Sequence, residues 1–87
     1  MDQKTLESLL RALGWEPGEI LYRDPDVKLG TWWGHPEWVE QVIVAEESMI
    51  DYPRRTAEVL AILAEVHKCP SVSHLQGQWL LDHAGLK

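Results

Sequence analysis

Five carboxylates, Glu37, Glu40, Glu46, Glu47 and Asp51, fall between Leu29 and Pro53 with no lysine or arginine among them. If residues 36–50 are helical, Glu37, Glu40 and Glu47, with Asp51 just beyond, share a stripe opposite the apolar face, because steps of three and seven residues nearly close the helical turn. Such a self-repelling stripe serves either as a solvated face or as a docking surface whose charge speeds association with a basic partner and rejects acidic competitors. Trp32, Trp33 and Trp38 lie beside it. Side chains alternate faces along a strand, so adjacent Trp32 and Trp33 cannot both point inward and at least one ring is expected at the surface. A large aromatic near carboxylates fits an interface anchor, since tryptophan buries much area with few rotatable bonds. Trp32, Trp33, Trp38, Glu37, Glu40, Glu47 and Asp51 are therefore the candidate partner-binding residues. A narrower version is an aromatic cage for a cation, built from Tyr22, Trp32, Trp33 and Trp38 with Glu37 or Glu40 as counter-charge. Trp15, after the first helix's terminating glycine, and Trp79, among leucines, read as core, each with its indole N–H bound to a carbonyl at the core edge.

Other chemistry is thinly represented. His67, Cys69, His74 and His83 carry ligand atoms, but without the paired spacing that puts two zinc ligands on one turn, so no metal is expected. His67 and His83 suit helix C-termini, where the dipole favours a cation. Cys69 precedes a helix start that would lower its pKa, yet an isolated thiol is more often a small buried hydrophobe. Nucleophile-elbow, phosphate-loop, dinucleotide and zinc-protease motifs are all missing from the sequence. His35 with Glu37 and Glu40 is the only acid–base cluster, and it lacks a neighbouring nucleophile. Ser71, Ser73 and His74 are too close together to form a triad. The expectation is a protein that is not an enzyme and holds no cofactor, with a small enzyme centred on His35, Glu37 and Glu40 as a lesser alternative.

Fourteen acidic residues against eight basic ones give a formal charge of −6, which repels phosphate backbones and anionic lipid. The last two expected helices, joined through Lys68-Cys69-Pro70, imitate a helix-turn-helix. The would-be recognition helix, Ser71 to Ala84, contains no lysine or arginine, so Gln76 and Gln78 would have to read bases without phosphate contacts. Arg54 and Arg55 are the local support for this alternative, a DNA-binding regulator. A lone cysteine, an unbroken apolar run no longer than Val59–Ala64 and a start at Met1-Asp2 without a basic, apolar leader point to a cytoplasmic protein with no membrane span.

The elements that position these groups follow from the pattern. With 87 residues, 45% hydrophobic and 25% charged, one globular domain is expected. Leu6, Leu9, Leu10 and Leu13 recur at helical spacing between Asp2 and Gly14, predicting a helix over Gln3–Leu13. Residues 19–23 and 27–32 flank Asp24-Pro25-Asp26 as a short hairpin. Pro36 and Glu37 suit a helix start, and Trp38, Val39, Val42, Ile43, Met49 and Ile50 share one helical face. The β-branched run Val42-Ile43-Val44 suits a strand instead, which would make the fold α+β. Val59, Leu60, Ile62, Leu63 and Val66 belong to a largely apolar helix ending before Pro70, and Ser73 to Gly85 reads as a last helix with a capping box. The favoured architecture is thus mostly α: a compact bundle of about four helices with a hairpin between the first two. Its expected role is that of an inhibitor or adaptor whose acidic helix and exposed tryptophans occlude a basic surface on a partner, such as a nucleic-acid-binding protein. Self-association as a homodimer would cover the same tryptophans.

Overall fold

The computed structural model describes residues 1–69. Two helices and a three-stranded antiparallel sheet follow one another as α1 (Gln3–Ala12), β1 (Glu16–Asp24), β2 (Val27–His35), β3 (Trp38–Ala45) and α2 (Tyr52–Val66). The sheet is a meander in the order β1-β2-β3. This small α+β arrangement replaces the mostly helical four-helix bundle expected from periodicity. The predicted helix over residues 36–50 is instead a turn, strand β3 and a loop. Pairing of His35 with Trp38 puts Pro36 and Glu37 at the centre of a tight turn, so the proline that suits a helix start here suits the second position of a turn. Val42, Ile43 and Val44 then pair with Trp33, Trp32 and Thr31, where β-branched side chains fit a pleated surface better than a helix. The final helix expected over Ser73–Gly85, with Trp79, His74 and His83, lies outside the described residues, as does the recognition helix of the DNA-binding alternative.

Local chemistry fixes the ends of the elements. The Asp2 carboxylate accepts the Thr5 N–H at 2.8 Å and caps α1; hydrogen bonds from Thr5 hold its pKa below the usual carboxylate range. Gly14, at φ +93°, lets the chain turn back, and the Trp15 N–H bonds the Leu10 carbonyl at 2.9 Å. A side chain there is also excluded by contact, because an added Cβ would stand 2.9 Å from Nε2 of His35. Asp24 pairs with Val27, leaving Pro25-Asp26 as the two-residue loop of the expected hairpin. Pro53 sits in the first turn of α2, where its missing N–H costs nothing.

The core lies between the helices and one face of the sheet. Trp33, Val42 and Val44 pack with Leu6, Leu9 and Leu10 of α1 and Val59, Leu60, Leu63 and Ala64 of α2. Both helices pack on β3. β1 contributes no buried side chain; only Leu21 is half-buried. The sheet therefore has a covered face over β2 and β3, while β1 stands clear of the core.

Candidate functional site

Dissolving the central helix also dissolves the acidic stripe, because its members now sit on a turn, a strand, a loop and a helix start. Glu37 is exposed in the β2–β3 turn, where its N–H donates to Nδ1 of His35 at 3.0 Å. Glu40 is exposed on β3. Glu46 and Glu47 fasten α1 to the loop after β3: Gln3 and Glu47 exchange reciprocal side chain to backbone hydrogen bonds of 2.7 Å, and Glu46 accepts from Gln3 Nε2 at 2.9 Å and faces Lys28 at 3.5 Å. Asp51 is engaged by Arg55 at 3.0 Å and Arg54 at 3.4 Å, and the Arg55 hydrogen bond holds its carboxyl below the usual range. The tryptophans separate too. Trp33 is only 1% exposed, with its Nε1 unpartnered among the described residues and the Arg11 guanidinium 5.1 Å from its ring centroid. Trp32, on the opposite face, is half-buried.

Around Trp32 the sheet forms an open cleft of about 460 Å³. Two features of the sequence create it. Along β2, the positions two residues before and after Trp32 are Gly30 and Gly34, so the indole has no side chain on either side in its own row. A Cβ added to Gly30 would collide with the Val44 carbonyl at 2.7 Å, whereas one added to Gly34 meets nothing within 4 Å. Gly34 thus leaves real empty space. In β1, the pairs Pro17↔Trp33 and Ile20↔Thr31 leave both Gly18 and Glu19 opposite Trp32 alone. That is a β-bulge, and it sets the strand off line beside the ring. The cleft is lined by Glu16, Pro17, Gly18 and Glu19 from β1, Trp32, Trp33, Gly34 and His35 from β2, and Pro36 and Gln41. Neither Glu16 nor Glu19 is in an ion pair among the described residues. Glu37, next in sequence to Pro36, adds negative charge at the turn, whereas Glu40 alternates with Gln41 and falls on the Val42 side of β3.

Trp38 takes part in a different cluster, behind the turn. Its ring centroid lies 4.1 Å from that of His35, 4.6 Å from His67 and 6.0 Å from Trp15. Trp15 is 1% exposed and donates its indole N–H to Nε2 of His67 at 3.0 Å, an imidazole acceptor rather than the carbonyl the sequence suggested. His35 stands 3.2 Å from the Leu13 carbonyl through Nε2, so Nε2 carries the proton and Nδ1 accepts from Glu37. Both nitrogens of His35 are thereby engaged. Burial, followed by the charge of His35, lowers the pKa of His67. Among the described residues no three His, Cys, Asp or Glu side chains converge as metal ligands, and Cys69 is a free, half-buried thiol.

Of the candidate residues, Trp32 and Trp33 line the cleft and Glu37 follows Pro36 at its rim, while Trp38, Glu40, Glu47 and Asp51 are placed elsewhere. Glu16, Gly18, Glu19 and Gly34 were missed; their signal is the Gly-x-Trp-x-Gly run of residues 30–34, paired with a Gly-Glu step in the facing strand. No family model, curated protein or solved structure matches this chain.

Proposed function

We propose that this is a non-catalytic protein-binding module that docks a basic segment of a partner protein on the Trp32 face of the sheet. The observation that carries this reading is the Trp32 cleft itself: an aromatic wall, a glycine floor and, in Glu16 and Glu19, carboxylates with no ion pair among the described residues. An arginine or lysine side chain would lay its aliphatic stem and charge along the indole while Glu16 or Glu19 takes its donors. The net charge of −6 steers such a partner and disfavours nucleic acid and anionic membranes. The partner's basic patch is then covered, as an inhibitor or adaptor requires. The acidic helix has no part in this reading; the sheet does its work.

Titration of the ¹⁵N-labelled protein with an arginine-rich peptide tests it. We expect shifts at the Trp32 indole and at the amides of residues 16–19, weakening as salt is raised. Gly34→Val should fill the cleft without disturbing the strand, since the added Cβ has open space and a β-branched residue suits the position. It should weaken binding at least about tenfold, or about 1.4 kcal/mol. Shifts scattered over all acidic residues, or equal affinity in the Gly34→Val protein, would overturn the assignment.

A further inference from the structure

The cluster of Trp15, His35, Trp38 and His67 joins three places distant in sequence: the α1–β1 junction, the β2–β3 turn and the C-terminal end of α2. Its hydrogen bonds are written in neutral imidazoles. Nε2 of His67 must offer a lone pair to the Trp15 N–H at 3.0 Å, and Nδ1 of His35 must offer one to the Glu37 N–H at 3.0 Å. A proton on either nitrogen would set two donors against each other, and on His67 it would leave the indole N–H of an enclosed tryptophan unpaired. The two imidazole centroids are 6.1 Å apart, so charging both adds mutual repulsion.

We propose that this cluster is an acid-opened latch: protonation of His67 detaches the C-terminal end of α2 from the sheet while the core stays folded.

Three further observations support a local opening. His67 is the residue after the last turn of α2, outside the helix that ends at Val66, whereas Leu63 and Ala64 are held in the core. Lys68 is at φ +57°, the left-handed position with which helices commonly end. That conformation is closed by bonds from the Lys68 N–H to Glu65 and from the Cys69 N–H to Ala64, both local to the helix end. The charged and titratable groups within a few residues of the cluster's members are Arg11 on α1, Glu16 on β1, His35 itself, Glu37 in the turn, Glu40 on β3, and Glu65, Lys68 and Cys69 around His67. None forms an ion pair with either imidazole among the described residues. Desolvation and the neighbouring His35 both disfavour the charged form of His67. The proton therefore binds more readily once the latch is open, which is the linkage a switch needs.

NMR of the full chain between about pH 7.5 and about pH 5 tests the latch. The expected result is loss of the nuclear Overhauser contacts between Trp38 and His67, with the Trp15 indole proton moving upfield at the midpoint of the His67 titration. Methyl signals of Val42 and Val44 should hold their positions. His67→Gln supplies an acceptor that does not titrate and should keep the indole proton in place across the range. Contacts that persist after His67 is protonated, collapse of the core methyls together with the latch, or a Gln variant that opens with the wild-type midpoint would each overturn the proposal. If the Gln variant does not fold, the wild-type contacts and core methyls decide.

Discussion

Trp15 and Trp33 are both enclosed, yet only one has its N–H satisfied, and that difference sets what each indole contributes. Replacing either by phenylalanine removes similar ring volume. Trp15→Phe also deprives His67 of its donor, whereas Trp33→Phe removes an N–H that has no partner among the described residues. Urea denaturation should show Trp15→Phe to be the more destabilising by about 1–2 kcal/mol, the range for a lost buried hydrogen bond against a relieved orphan. An equal loss in both would mean that the Trp33 N–H finds a partner. The alternation of Trp32 and Trp33 between faces was legible, because strand geometry forces it. The choice of Trp33 as the inner ring was not, since it depends on which face the helices cover. Nor was the proximity of His35 and His67 visible: two isolated histidines 32 positions apart carry no spacing signal, and only the packing of α2 on the sheet brings them together.

Among the elements, β2 shows how one strand is shaped by its glycines. Gly30 is required by the close passage of β3, so Gly30→Ala should destabilise by about 1–3 kcal/mol as the Val44 carbonyl is pushed aside. Gly34→Ala, with open space above it, should be neutral or stabilise by about 0.5–1 kcal/mol, because glycine is a poor strand residue. Thermal melts of the two proteins, expected to move in opposite directions, check this contrast. α1 and the hairpin around Pro25-Asp26 could be read from the chain because capping, leucine spacing and turn residues are all local. β3 was harder. Its apolar residues fit a helical face as well as a strand, and the deciding factor was a partner strand ending at His35 that a four-residue turn could reach. The four-helix expectation followed from weighing periodicity without that partner. The bulge at Gly18–Glu19 escaped for the same reason, being a relation between two strands.

For the molecule as a whole, stability should depend on pH in two stages. The pKa of His67 is lowered by folding, so its contribution is complete above the free-imidazole value of about 6.5 and is lost as pH falls from there toward the folded value. Asp2 and Asp51, whose carboxyls are also lowered, contribute above the free-carboxylate value of about 3.9, and that contribution disappears as pH falls through their folded pKa values. Urea midpoints measured from neutral to acid pH should therefore fall first in the histidine range and again in the carboxylate range; His67→Gln should lose the first decline and keep the second. β1 carries a different consequence. It is a nine-residue strand at the border of the sheet, with no helix among the described residues covering its side chains, and such a border is a template on which other chains can aggregate. Here the extra residue at Gly18–Glu19 breaks the regular spacing of its backbone groups, and Pro17 offers no N–H. The irregularity that opens room beside Trp32 also spoils β1 as a seed for fibrous growth, so protection of this border and the proposed docking cleft rest on the same inserted residue.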